Sequence, residues 1–234
     1  MKMRSIPSVS NTRNLGEQVY DKLRDSIITL ELLPGQTVQE NELGESLGIS
    51  RTPIRDAFHL LIAEKLIDVL PQRTKKVACI SATKVLESSM VRLSLESSAF
   101  KTVAKHWGDT PLYMKAEKQI LRILQEQREA AELQDTRQFL QLDEDFHRQI
   151  LQLAGNETLL EVVYHMRGHL NRFRFLAMKE LVLTDKLVKE HDELFECLKK
   201  RDEIGIVQLL ELHLGKLESE IPPLREKFPQ YFQD

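Results

Sequence analysis

The 234-residue chain has little of several features that mark special classes of protein. Its two cysteines, Cys79 and Cys197, lie far apart in sequence, which argues against a disulfide framework and fits a reducing compartment. No apolar run approaches the roughly 20 residues of a membrane-spanning helix, and the opening stretch MKMRSIPSVSNTRN lacks the apolar segment of a signal peptide. We therefore expect a cytoplasmic protein with no membrane partner.

A strong net charge is also missing, because the formal charge of the whole chain is only −3 at pH 7. Charge is nevertheless unevenly placed: residues 51–76 hold six basic and three acidic residues. The overall balance does not suggest a nucleic-acid partner, but this window could contact one.

The first eighty residues read as short helices followed by two β-rich runs. Asn14 can cap a helix through LGEQVYDKLRDSIITL, LPGQ forms a turn, and QENELGESLG forms a second helix that stops at Gly48. Ser50 then caps a third helix, RTPIRDAFHLLIAEK, and the runs LIDVL and KVACI are interpreted as a β-hairpin. This order predicts a winged helix-turn-helix domain over residues 1–80.

From residue 81 to residue 234 every long segment has helical periodicity. The apolar spacing predicts helices near 82–106, 111–133, 135–154, 157–180, 184–201 and 203–220, with Pro222 and Pro223 ending the last one. We predict an all-α helical bundle here, and a mainly α fold class for the whole chain.

The third helix and the predicted wing hold the candidate DNA contacts. In a helix-turn-helix the second helix enters the major groove with its N-terminal residues nearest the bases. Arg51, Thr52 and Arg55 occupy that first turn, and arginine can donate two hydrogen bonds to guanine. Three basic residues of the wing are candidates for phosphate contacts: Arg73, Lys75 and Lys76. The alternative is that these charges merely solvate a helix end and a turn.

Three helices of the C-terminal part carry a metal-ligand type of side chain within an apolar stripe. Asp143 and His147 lie one turn apart on one helix, His191 lies on another and His213 on a third. Burying an unpaired carboxylate is costly, and one divalent cation would satisfy all four groups. Nitrogen and oxygen donors of this kind suit Zn, Ni or Mn. Each residue alone could instead be hydrogen-bonded in the core.

The segment LRDSIITLELLPGQTVQENELGESLGISRTPIRDAFHLLIAEKLI resembles the N-terminal domain of GntR-type transcriptional regulators, above all in LPG and SRTPIRDA. The resemblance implies that Arg51, Thr52 and Arg55 contact DNA. It also implies a role for Arg24, either as a further contact with the DNA backbone or as structural support.

Residues 85–218 resemble the effector-binding domain of the FCD subgroup of these regulators. The matching segments are VRLSLESSA, LDEDFHRQILQLAGNETL and KEHDELFECLKKRDEIGIVQLLELHL. The resemblance implies that Asp143, His147, His191 and His213 bind a divalent metal, and that a small carboxylate effector completes its coordination. It further implies that Arg92 binds that carboxylate; the alternative is an ion pair of Arg92 with Glu96 one turn later.

Two more histidines, His165 and His169, also lie one turn apart, but at the edge of the apolar arc of their helix. They match no ligand position of the FCD pattern. We expect neither to bind the metal, although either could line an effector cavity.

The leading hypothesis is a ligand-responsive, metal-binding transcriptional regulator that binds a near-palindromic double-stranded operator as a homodimer, and that is not an enzyme. A competing hypothesis is a metallohydrolase fused to a DNA-binding domain, in which the metal activates a water molecule. This hypothesis lacks a convincing general base, because Glu144 lies on the edge of the polar face of its helix and Asp145 points away from the metal. A third hypothesis keeps the regulator but gives the metal a purely structural role.

Overall fold

A computed structural model describes residues 15–71 and 74–233 of the chain. The N-terminal elements are three helices and three short strands: α1 (Leu15–Ile28), β1 (Thr37–Val38), α2 (Glu40–Leu47), α3 (Arg51–Ala63), β2 (Ile67–Val69) and β3 (Lys75–Val77). The C-terminal elements are helical: α4 (Ala82–His106), α5 (Pro111–Glu132), α6 (Thr136–Leu153), α7 (Glu157–Glu180), α8 (Thr184–Lys199), α9 (Glu203–Leu214), α10 (Leu217–Lys227) and a short 3-10 helix (Pro229–Tyr231). The predicted fold class, a winged helix-turn-helix followed by an all-α bundle, is confirmed.

The wing differs from the predicted hairpin by one strand. β2 and β3 form the expected antiparallel pair, but β1 adds to the other edge of β3, so that the sheet order is β1-β3-β2. Thr37 lies opposite Lys76, and the N–H of Gly35 donates to Val77 O at the end of the preceding turn. A two-residue strand has no periodicity to recognise, because only its pairing with β3 makes it a strand.

The last predicted helix is in fact two helices. The chain leaves α9 at Gly215 and begins α10 two residues later, and Pro222 and Pro223 lie inside α10, contrary to the prediction that they end the helix. The prolines remove two backbone donors, but α10 also buries Leu217, Ile221 and Leu224 against α4 and α7. This apolar packing outweighs the lost hydrogen bonds.

Three clusters of buried apolar side chains hold the elements together. One packs α1, α3 and the sheet, and a second fills the interior of the bundle from α4 to α9. The third joins Ile80, α7, α10 and Phe232, directly after the wing. Ile80, the last residue of the predicted winged domain, thus packs with the helical part. The domain boundary at residue 80 stays a prediction.

Helix α7 also contacts the winged part directly. A Cβ on Gly168 would lie only 3.4 Å from Glu64 Oε2 and from Leu66 Cδ1, which shows how closely α7 approaches the end of α3. The buried guanidinium of Arg172 donates to the carbonyl oxygens of Ala78 and Cys79, between β3 and α4. Across residues 15–71 and 74–233, every helix is too short or too polar to cross a membrane.

Candidate metal centre and nucleic-acid interface

Helix α6 presents Asp143 and His147 to the interior of the bundle. The helix begins at Thr136, and the side chain of the preceding capping residue, Asp135, accepts a hydrogen bond from the N–H of Gln138. Its buried face includes Phe139, Phe146 and Ile150 together with these two polar residues, which have no exposed surface. The residues on α6 that the sequence predicted as ligands therefore lie in the core.

Helices α8 and α9 bring His191 and His213 to the same point. One ligand atom from each of the four residues lies within 4.8 Å of the others. The Nε2 atoms of His147 and His213 are 3.3 Å apart, and Nε2 of His191 is 3.3 Å from Oδ1 of Asp143. Three separate helices thus converge on one buried cluster of nitrogen and oxygen atoms.

An oxygen atom lies close to the other ring nitrogen of each histidine. Nδ1 of His191 is 2.8 Å from Gln127 Oε1, and Nδ1 of His213 is 2.8 Å from Glu190 Oε2. Nδ1 of the third histidine, His147, is 2.7 Å from Glu96 Oε2. An oxygen acceptor at Nδ1 favours the tautomer with its proton there, which leaves the Nε2 lone pair free to bind a metal.

The cluster fits a divalent cation better than it fits internal hydrogen bonding. With the protons on Nδ1, the Nε2 atoms of His147 and His213 face each other as two acceptors. Among the described residues, Oδ2 of Asp143 and Nε2 of His191 also lack a hydrogen-bond partner. Two nitrogens bound tetrahedrally to zinc at ~2.0–2.1 Å would lie roughly 3.3 Å apart, which matches the spacing observed here.

The protonation states also suit a metal. Burial lowers the pKa of His147 to about 3 and that of His213 to about 4, so both imidazoles are neutral at pH 7. Burial opposes ionisation of Asp143, but the positive charge of Arg174, whose Nη2 is 2.7 Å from Oδ1, holds the pKa of that carboxyl well below its usual range. Neutral imidazoles and an ionised carboxylate are the forms that bind metal.

Sequence reasoning missed four residues that support this cluster: Glu96, Gln127, Arg174 and Glu190. Gln127 carried a signal in the sequence, since it follows Ile123 and Leu124 at helical spacing on the apolar face of α5; the structure shows that it is fully buried. Glu190 directly precedes His191 in sequence but contacts His213 on the next helix. That pairing depends on how α8 and α9 pack, and no spacing in the chain encodes it.

Arg92 lies on α4 beside the cluster and is 3% exposed. Its Nε donates to Glu96 Oε1 at 2.7 Å, so the ion pair considered as an alternative is present. Its Nη2 has no hydrogen-bond partner among the described residues. Arg92, Arg174 and His213 line a cavity of about 30 Å³, which has room for one or two water molecules.

The two histidines expected not to be ligands lie away from this cluster. His165 is exposed, and its Nδ1 is 2.8 Å from the carbonyl oxygen of Glu161. His169 lies on α7 one residue after Gly168, near the contact with α3, and burial lowers its pKa to about 4. Neither belongs to the group of four potential metal ligands.

The first turn of α3 forms the candidate DNA surface. Arg51, Thr52 and Arg55 are exposed there. The helix is held from behind by four buried apolar residues: Ile54, Ala57, Phe58 and Leu61. Helix α2 ends at Gly48, whose φ of +65° allows the sharp turn into α3. The apolar face thus anchors α3 while its basic first turn points away from the core.

The wing offers fewer free charges than its sequence suggests. Lys75 is ion-paired with Glu40, and its Nζ lies 5.3 Å from the centre of the Phe58 ring. Lys76 is partly exposed and makes no ion pair with any described residue. Arg73 lies outside the described residues. Lys76 is therefore the wing lysine most available to a phosphate.

Arg24 faces the helical part of the protein. Its Nε is 3.1 Å from Glu64 Oε2, and its guanidinium lies 5.7 Å from the centre of the Tyr164 ring on α7. Only 13% of the side chain is exposed. Of the two roles inferred for Arg24, this placement favours structural support and disfavours a contact with the DNA backbone.

Two family models match the chain, in agreement with its two parts. The model for bacterial regulatory proteins of the gntR family matches residues 15–77, and the model for the FCD domain matches residues 87–216.

Similar proteins cover nearly the whole chain. It is 26% identical to the HTH-type transcriptional repressor RspR of Escherichia coli (strain K12), over 95% of this chain and 96% of that protein. It is 29% identical to an HTH-type transcriptional regulator of Streptomyces ambofaciens, over 95% and 92% of the two chains. Among solved structures, E. coli McbR/YncC has the same fold, with a TM-score of 0.76, 20% identity and coverage of 93% and 100%.

Proposed function

Since the chain belongs to the GntR family of bacterial transcriptional regulators and carries an FCD domain, we propose that a buried divalent metal and a small carboxylate effector control its affinity for DNA. The family and its relatives are regulators and not enzymes. The observation that carries the proposal is the convergence of three Nε2 atoms and one carboxylate in the core.

Asp143, His147, His191 and His213 would hold the metal. Their nitrogen and oxygen donors suit Zn, Ni or Mn, and the contacts of the three Nδ1 atoms would orient the rings. When bound, the metal would supply a Lewis acid that can coordinate a carboxylate oxygen.

Arg92 would bind the second oxygen of that carboxylate. The free Nη2 of Arg92 is a buried charge-bearing donor, and an ionised acceptor makes a strong hydrogen bond with it. The adjacent cavity of about 30 Å³ is smaller than a carboxylic acid. Entry of an effector therefore requires the surrounding side chains to move, and that movement is what a regulator can use.

Helix α7 would carry this movement to the winged part. Its Arg174 binds Asp143, and its Arg172 binds the chain between β3 and α4. A shift of α7 would change how α3 is held relative to the bundle. We propose that the protein binds DNA as a homodimer, because two recognition helices reading a near-palindromic operator double the contacts, and that the effector changes their relative placement.

The test measures affinity for a DNA fragment selected by the protein from a random pool. We expect metal-loaded protein to change its DNA affinity when acetate, lactate or malonate is added, and chelated protein to show no response. Arg92→Ala should keep its metal and lose the response, whereas Arg122→Ala, a change of an exposed arginine on α5, should retain it. A metal requirement with no response to any acid would instead support a purely structural metal.

A further inference from the structure

A second cavity lies between α6 and α7, away from the metal cluster. Its volume is about 220 Å³, and its lining includes none of the four proposed metal ligands. The walls are mainly apolar, with Leu151 from α6 facing Leu160, Val163 and Tyr164 from α7. Leu151 and Val163 are buried, whereas Tyr164 is 48% exposed, so the cavity opens to solvent on one side.

The cavity has one buried cationic residue, Arg167, which is only 5% exposed. Its Nε has no hydrogen-bond partner among the described residues. The nearest carboxylate is Glu96, with Oε1 3.5 Å from Arg167 Nη2. That carboxylate already contacts Arg92 at 2.7 Å and His147 at 2.7 Å, so it compensates the charge of Arg167 poorly.

The electrostatics of Arg167 agree with this geometry. Burial lowers the pKa of its guanidinium, and the nearby positive charge of Arg92 lowers it further. A buried cation of this kind is stabilised by an anion that can reach its free N–H.

The remaining polar groups of the cavity are already engaged or exposed. Arg148 is ion-paired with Asp145 at 3.1 Å, and Nδ1 of His165 is 2.8 Å from the carbonyl oxygen of Glu161. Glu161 is itself exposed at the rim, where its carboxylate is solvated and does not neutralise the interior.

We propose that this cavity is a second ligand site, for a small carboxylate with an aromatic or branched aliphatic body. The carboxylate would accept from Arg167 Nε, and the apolar body would lie against Leu151, Leu160 and Val163. The volume is below the ~300–1,000 Å³ typical of sites for drug-sized ligands, which favours a ligand about the size of benzoate.

A ligand here would contact Arg167 and Tyr164, which lie against the surroundings of the metal cluster and against the winged half, respectively. Arg167 contacts Glu96, which is 2.7 Å from His147 in the metal cluster. Tyr164 stacks with Arg24 of α1. None of the four proposed metal ligands lines the site, so it can be tested independently of the function proposed above.

The experiment is a calorimetric titration of the full-length protein with benzoate and with isovalerate, and with uncharged benzyl alcohol as the comparison ligand. We expect saturable binding of at least one acid and at least about tenfold weaker binding of benzyl alcohol, because the alcohol lacks the charge that Arg167 binds. Arg167→Met should weaken the acid at least about tenfold.

A matched pair of variants and a metal-free control make the assignment specific. Leu160→Trp fills the cavity and should abolish binding, whereas Val162→Trp, on the same helix but outside the lining, should not. Removal of the metal with a chelator should leave acid binding unchanged, because none of the four proposed metal ligands lines the cavity. His165→Ala changes an exposed residue of the rim and should have only a small effect.

Several results would overturn the proposal. They are the absence of saturable binding by both acids, equal affinity in Leu160→Trp and wild type, or loss of acid binding when the metal is removed with a chelator, which would assign the acid to the metal centre. A dimer in light scattering that Leu160→Trp dissociates, without acid binding to the wild type, would assign the cavity to a second copy of the chain.

Discussion

The two halves of the protein expose their functional residues to opposite degrees. The four proposed metal ligands of the helical half are buried, with Asp143, His147 and His191 fully inaccessible. The proposed DNA contacts of the winged half, Arg51 and Arg55, are exposed on the first turn of α3. A buried polar residue is costly unless it has a partner, so its position alone suggests a ligand. An exposed arginine costs nothing, so only its structural context suggests a function.

The same contrast predicts how each half responds to mutation. Residues of the metal cluster are held by other buried groups, such as Gln127 on His191 and Arg174 on Asp143. A substitution in the cluster should therefore disturb several neighbouring side chains as well. Arg51 and Arg55 lie on the surface of a helix anchored from its other face, so a change there should affect DNA binding and leave the fold intact.

The largest expected effect is loss of the metal in His191→Ala. The wild type should gain about 4 kcal/mol of stability in the presence of zinc at a thousandfold excess over its Kd, and the variant should gain almost none. Metal analysis of the purified proteins and thermal unfolding with and without zinc measure this. His165→Ala is the control, because His165 is exposed on α7, and full metal retention by His191→Ala would remove His191 from the site.

The second largest effect is expected at the DNA surface of the winged half. Arg51→Ala and Arg55→Ala should each weaken binding to the selected DNA fragment by about 1–3 kcal/mol, with the metal content unchanged. Arg225→Ala removes the same charge from an exposed position on α10 and should have little effect. Affinity that is unchanged in both α3 variants would contradict their role in recognition.

A smaller effect is expected from the groups that orient the ligands. Gln127→Ala removes the acceptor 2.8 Å from His191 Nδ1 and should weaken metal affinity tenfold to a hundredfold, the usual cost of such a loss. Gln125→Ala, two residues earlier on the exposed face of α5, is the control. Equal metal affinity in the two variants would show that Gln127 does not orient His191.

The sequence was most informative where periodicity is long. Helices α4 to α8 begin and end within two residues of their predicted bounds, because each repeats its apolar spacing over several turns. The split between α9 and α10 was missed because the apolar pattern continues across Gly215, and strand β1 was missed because two residues have no period. Local signals fail where tertiary pairing decides the structure.

The candidate site shows the same limit. The spacing of Asp143 and His147 within an apolar stripe was visible in the chain, but Glu96, Gln127 and Glu190 were not recognised. Gln127 meets His191 across 64 residues of sequence, and the contact exists only because α5 packs on α8. The ligands were predictable from their own helices, whereas the contacts that orient them depend on the packing of pairs of helices.

The smallest expected effect concerns Arg24, which connects the two halves. Each phosphate contact contributes about 0.9 to the slope of log K against log salt concentration, so Lys76→Met should lower the magnitude of this slope for the selected DNA by about 1. Arg24→Met should leave the slope unchanged, because Arg24 binds Glu64 and stacks on Tyr164. An equally large decrease of the slope in Arg24→Met would place Arg24 at the DNA surface and contradict its role as structural support between the two halves.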